Sequence, residues 1–260
     1  MKPLRPLIAA ALAALAFSAH AVGRLAEVTI VDRSTGRDIP VHWHDGRAYV
    51  VGRPGAEYQV TVRNRRGEDL LAVVSVDGLN VMTGETASPR QSGYVMSPWS
   101  RVDVRGWRKS LDEVAAFYFT SLGDSYAART DRPANVGVIG VALFQRKREP
   151  VAAAPEMTQP MPYEKDMDSR ARNSTGEPAS PRAEAPAKAQ AAPLATGHGR
   201  REESRVRWVD FERAGDEPAE TVAIYYDSYR NLVAQGVLQV PPSPRDPNPF
   251  PTVFAPDPWR

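Results

Sequence analysis

The chain has 260 residues, 42% hydrophobic and 25% charged, a composition that leaves room for one substantial core and excludes both a wholly disordered chain and a membrane bundle. It contains no cysteine, which excludes disulfides, a thiol nucleophile, a lipidated cysteine and Cys-based zinc sites. Its 33 basic and 31 acidic residues nearly balance; without Lys2 and Arg5, which belong to the N-terminal segment, they become 31 and 31, and no electrostatic case remains for nucleic acid or for an anionic membrane surface.

Residues 1–21, MKPLRPLIAAALAALAFSAHA, combine a basic start, an apolar run from Leu7 to Phe17 and the small residues Ala19 and Ala21 around His20. This is the pattern of a secretory signal peptide, with cleavage expected after Ala21. The run is shorter than the about 20 residues a permanent span needs, and no later run is apolar enough to cross a membrane. An exported chain, periplasmic or extracellular, without an integral membrane segment after cleavage is therefore expected.

Short β-favouring runs follow in quick succession: Leu25–Val31, Ile39–Trp43, Arg47–Val51, Glu57–Asn64 and Asp69–Val76. The turns between them carry Ser34-Thr35-Gly36, Asp45-Gly46, Pro54-Gly55 and Arg66-Gly67, which are residues that turns select. The run Leu70–Val76 is apolar on both faces apart from Ser75, as a central strand requires, and Asp77-Gly78 turns the chain after it. Gly93–Met96 and Arg101–Trp107 read as edge strands, the second with Val102 and Val104 inward. Ser110-Leu111-Asp112-Glu113 resembles a helix start, but Val114–Thr120 is rich in strand formers and is assigned as a strand, with Phe117 and Phe119 on one face and Tyr118 on the other. Val136–Phe144 closes a mainly β, antiparallel sandwich-like domain spanning residues 22–149.

Residues 150–195 are rich in Ala, Pro and polar side chains without apolar periodicity, and are expected to form a disordered linker. In residues 196–240, Val206–Phe211 and Thr221–Tyr226 read as strands, and Tyr229–Gln235 as a short helix entered from Asp227-Ser228 and ended at Gly236. A piece this small folds poorly alone, so it is expected to dock on the β domain, adding strands at an open edge. Residues 241–260 form a proline-punctuated tail.

Leu122-Gly123-Asp124-Ser125-Tyr126 resembles the nucleophile block of GDSL/SGNH esterases. That resemblance implies Ser125 as nucleophile with a histidine base; His198 is the only histidine after it, but the family's D-x-x-H pattern and its oxyanion-binding Gly and Asn blocks do not follow. The alternative for this block is a turn capped by Asp124 and Ser125. His42 and His44, two apart on one strand, share a face and form a candidate metal pair, with Trp43 expected to point inward. No third strong ligand is identifiable, and no cofactor motif occurs. The aromatic residues Phe117, Tyr118, Phe119, Trp99 and Trp107, with Tyr225, Tyr226 and Tyr229, suit either a core or, if exposed in a row, a glycan-binding module.

The stretches GEDLLAVVSVDGLNVMTGETA (67–87), VDVRGWRKSLDEVAAFYFTSLGDSYAAR (102–129), NVGVIGVALF (135–144), GHGRREESRV (197–206) and TVAIYYDSYRNLVAQGVL (221–238) resemble an uncharacterised family of exported bacterial β-rich proteins. The resemblance implies a shared fold and export, and brings no catalytic or binding residues with it. The expectation from the sequence is a non-enzymatic binding or scaffold protein whose partner is a protein or another envelope component, with a secreted serine esterase and a glycan-binding module as the alternatives.

Overall fold

The computed structural model describes residues 21–148 and 192–239. The expected signal peptide, most of the linker and the proline-rich tail therefore lie outside the described residues. The fold is mainly β, in two seven-stranded sheets packed as a sandwich. In chain order the strands are β1 (Ala26–Asp32), β2 (Arg37–Asp38), β3 (Val41–His44), β4 (Arg47–Val51), β5 (Glu57–Asn64), β6 (Leu70–Val76) and β7 (Leu79–Asn80). They continue with β8 (Tyr94–Met96), β9 (Arg101–Val104), β10 (Gly106–Arg108), β11 (Glu113–Ser121), β12 (Val138–Gln145), β13 (Leu194–Glu203) and β14 (Glu220–Asp227). Two short helices, α1 (Tyr126–Arg129) and α2 (Tyr229–Ala234), follow β11 and β14.

In the first sheet β5 pairs with β1 along one edge, and along the other with β9 and, at Tyr58 and Glu57, with β11. β11 takes β10 on one side and β13 on the other. The second sheet runs β3, β4, β14, β12, β6, with β7 and β8 sharing the outer edge of β6. Pairing is antiparallel throughout except between β14 and β4. β6 is central, as its two-sided apolar pattern requires, because both of its faces meet apolar partners.

The core lies between the sheets and is dominated by rings. Tyr58 stacks on Phe119 at 4.3 Å and on Phe117 at 5.4 Å, and Trp107 meets Phe117 edge-on at 5.2 Å. These arrangements suit the ring quadrupoles and bury large apolar area at the centre. Phe117 and Phe119 are buried while Tyr118 faces outward, the alternation a one-sided strand imposes. A smaller apolar cluster of Leu71, Val73, Ala142 and Phe144 sits on the outer face of the second sheet and is covered by Phe211.

Two expectations are corrected. The segment from 196 is not a piece docked on a finished domain: β14 lies inside the second sheet between β4 and β12, and β13 begins at Leu194, two residues before the expected start of that segment, with Leu194 and Ala195 buried. A sheet missing an interior strand leaves backbone groups unpaired on both sides, so residues 22–149 are completed only by this return. Val206–Phe211 is not a strand; its apolar residues anchor an irregular strap, Val206 packing on the main core and Phe211 on the outer cluster. The choice of strand over helix after Ser110 agrees with β11: Ser110 opens a turn in which its hydroxyl accepts from the amides of Asp112 and Glu113, and the chain then proceeds as a strand.

Tyr118 lies flat over β13 because the residue opposite it is Gly197, where a Cβ would stand 2.2 Å from the ring. Gly197→Ala is expected to destabilise the fold by about 1–3 kcal/mol through overpacking, seen as a lower urea midpoint. The penalty should shrink in a Tyr118→Ala background, where the ring is gone.

Candidate functional site

The Ser125 hydroxyl donates to the Leu122 carbonyl at 2.7 Å and accepts from the Ala128 amide at 3.0 Å, and the residue is fully buried. Ser125 is the N-cap of α1, the role that a serine with extended backbone before a helix fills. Asp124 accepts from the Ser121 hydroxyl and belongs to the same turn. His198 stands on β13 with its ring 5.5 Å from that of Tyr126. Burial, followed by the nearby charges of Lys109, Arg201 and Arg129, holds its imidazole below the ordinary histidine range. Among the described residues no hydrogen bond joins Ser125 to His198, so these two are not coupled as nucleophile and base.

His42 and His44 lie half-exposed on β3, and His44 Nε2 stands 3.4 Å from the carboxylate of the adjacent Asp45. Among the described residues no group of three or more His, Cys, Asp or Glu side chains is placed to hold a metal. Trp43, expected inward, is instead exposed, because β3 is the outermost strand and its end runs past the core. Of the aromatic residues that suggested a row, Phe117, Phe119, Trp107 and Tyr226 are buried in the core.

The buried polar chemistry sits elsewhere, around Asp77. Asp77 and Gly78 form the two-residue turn between β6 and β7, both with positive φ (52° and 72°), the hairpin geometry that Asp-Gly favours. The turn drives the Asp77 carboxylate inward, where it accepts from Tyr226 Oη at 2.5 Å, the Thr196 amide at 2.7 Å and the Gly137 amide at 2.9 Å. The chain of bonds continues from Tyr226 Oη to Thr196 Oγ1 and on to Tyr58 Oη, each at 2.6 Å. With Asp77 ionised, each hydroxyl donates toward the carboxylate and all are satisfied; reversing the chain would leave the Tyr58 proton without an acceptor. Burial opposes this and pushes the Asp77 carboxyl up to about 6 against the pull of its donors. Burial and the Asp77 charge likewise hold Tyr58 and Tyr226 well above the usual phenol range. Nearby, Asp227 accepts from the Leu194 amide at 3.1 Å and from Asn231 Nδ2 at 2.8 Å. The two carboxylates thus hold alternate amides of β13.

An open groove of about 1030 Å³ lies between β8, β9 and the strap that follows β13. Eight arginines and three acids line it. Each acid is already held by an arginine, Asp69 by Arg146 at 3.1 Å, Asp103 by Arg101 at 3.3 Å and Glu203 by Arg205 at 2.6 Å. Arg108 and Arg213 bond to neutral oxygens, the first to the Ser204 carbonyl and the second to the carbonyls of Pro89 and Gln91. The guanidinium groups of Arg90, Arg105 and Arg207 make no hydrogen bond or ion pair among the described residues. Leu111, Trp208 and Val209, exposed at 41%, 72% and 47%, line the same groove. Sequence reading missed this site, since its residues come from stretches far apart in the chain; the one available signal was the alternation of basic and apolar residues around Arg207 and Trp208, which lie in Val206–Phe211, read as a strand.

No protein-family model matches the chain, and neither the curated proteins nor the solved structures hold a significant match. No helix of the described residues is long and apolar enough to cross a membrane.

Two outcomes follow from this geometry. Ser125→Ala should lower stability by about 1 kcal/mol through the lost cap, and Ser125→Gly by only a few tenths, measured by denaturant titration. For Asp77, whose folded pKa is raised, the stabilising contribution is complete below about pH 4 and is lost as pH rises through about 6, a change on the order of 3 kcal/mol. The stability of the wild type minus that of Asp77→Asn should therefore fall between pH 4 and pH 7; a rise would mean that the three donors outweigh burial.

Proposed function

We propose that the protein is an exported, non-enzymatic binding or scaffold protein of the bacterial envelope, and that it holds its partner in the groove between β8, β9 and the strap. One observation carries this reading: three arginines without counter-charges among the described residues and three exposed apolar side chains line a single groove. Isolated apolar residues on a surface mean little, but their clustering with free cations is what recognition surfaces show. Export rests on the N-terminal sequence, and the locations it allows are the periplasm and the cell exterior. Catalysis asks for something different, namely a nucleophile or acid–base pair open to a cleft, whereas the buried acid here is consumed by backbone amides and by tyrosines of the core.

The test uses the mature chain, residues 22–260, as bait for envelope extract, alongside a variant with Arg90, Arg105 and Arg207 all changed to Ser. A component retained by the wild type and reduced about tenfold on the variant is the expected result. An esterase screen on the same sample should show no turnover that Ser125→Gly abolishes. Capture indifferent to the groove variant, or turnover dependent on Ser125 in a folded protein, would overturn the reading.

A further inference from the structure

We infer that the groove takes an extended, acidic segment of a partner protein in which carboxylates alternate with apolar side chains. This rests on the reading of the groove as a binding site and adds the chemistry of what enters it. The sign of the charge comes first. After the three lining acids are matched one to one, the groove keeps an excess of arginines, and Arg90, Arg105 and Arg207 have no competing partner to surrender. A carboxylate placed between them gains charge-assisted, bidentate hydrogen bonds without breaking existing ones.

The class of partner follows from what lies between the arginines. Leu111 and Val209 are aliphatic and Trp208 is a large amphipathic ring, and together they offer contact area to apolar side chains. A polysaccharide is gripped chiefly by ring faces and hydrogen bonds, and would leave the aliphatic groups unused. A nucleic acid carries a charge about every 1.7 Å along a duplex, and the carboxylates of Asp69, Asp103 and Glu203 interleaved with the arginines oppose so dense a polyanion. Exposed tryptophan beside arginine is the composition of protein-binding hot spots.

The strap is built for such an occupant. Its N-terminal end is tied by the Ser204 and Val206 amides, which donate to the carbonyls of Asp112 and Leu111 at 2.7 and 2.8 Å. Its far end is tied by the Lys147 amide to the Glu212 carbonyl and the Ala214 amide to the Gln145 carbonyl, at 2.8 and 2.9 Å. Arg146 over the Phe211 ring at 4.7 Å and Arg213 over Phe144 at 4.2 Å pin that end to the outer cluster. Between these anchors Arg207, Trp208 and Val209 are all exposed. Firm ends hold these three side chains over the groove, so little ordering is left to be done on binding.

The test is fluorescence anisotropy of residues 22–260 with a labelled synthetic dodecapeptide alternating Asp or Glu with Leu and Trp, against the same peptide with Lys replacing every acid. Polyglucuronate and single-stranded DNA serve as competitors. The acidic peptide should bind, weakening with added salt, and the basic one should not. The triple Arg→Ser variant should lose about tenfold in affinity and Trp208→Ala about thirtyfold. Because these side chains make no hydrogen bond or ion pair among the described residues, both variants should melt like the wild type. Equal binding of the two peptides, an unchanged affinity in the triple variant, or tighter binding of polyglucuronate or DNA than of the acidic peptide would overturn the inference. If the triple variant loses envelope capture while the acidic peptide fails to bind, the partner chemistry is wrong and the groove stands; if capture ignores the variant, the binding site itself is wrong.

Discussion

The two halves of the chain meet at two buried carboxylates. Asp77, at the hairpin end of β6, takes the amide of Thr196, and Asp227, at the end of β14, takes the amide of Leu194. A strand buried at its start cannot leave such amides unpaired, because each would cost as much as a lost hydrogen bond. The carboxylates seal that stretch of β13 and tie it to the second sheet, while β11 pairs it into the first. Tyr226, Thr196 and Tyr58 carry the same network across the core. Each of these side chains is satisfied only when the C-terminal half is in place, so the network makes closure of the sandwich an all-or-none matter.

Closure in this manner has a consequence for the surface. Once β13 has paired with β11 and β14 has entered the second sheet, the intervening residues must cross from one sheet to the other outside the core. That crossing is the strap. Val206 and Phe211 hold it down, and Arg207, Trp208 and Val209 between them are left exposed. The arginines of β9 and of the loop before β8 are brought opposite it by pairings that have nothing to do with the strap itself. The groove is thus a by-product of topology, and among the described residues Arg90, Arg105 and Arg207 stay unpaired in it because every acid that lines it is already matched.

Much of the framework was legible before the fold was seen. The strands Arg47–Val51 and Glu57–Asn64 stand at the residues their patterns indicate, and Ser228 caps α2, which Gly236 ends with φ of 79°. Those features depend on neighbours in sequence. The strap shows the limit: Val206 to Phe211 has strand-like alternation, but the alternation serves two different apolar clusters instead of one sheet face. Ser110 and Ser125 show another, since each can either start a helix or close a turn, and the choice falls to the strand pairing on either side. The groove was hardly legible, because it joins residues far apart in the chain and its defining property is that three arginines have no partner among the described residues, which only placement in space reveals.

The Asp-Gly pairs separate the two kinds of information most cleanly. At Asp45-Gly46 and at Asp77-Gly78 the sequence by itself determined a two-residue hairpin, because positive φ at both positions suits these residues and few others. Asp45 stays at the surface beside His44, while Asp77 is fully buried under three donors with its carboxyl pushed up to about 6. Nothing local distinguishes them. The turn between β3 and β4 lies at the rim of the sandwich, whereas the turn after β6 lies where β12, β13 and β14 converge. Local backbone preference therefore set where the chain turns, and long-range pairing alone decided which aspartate would meet water and which would meet amides, because desolvation and hydrogen bonding are properties of the surroundings and not of the residue.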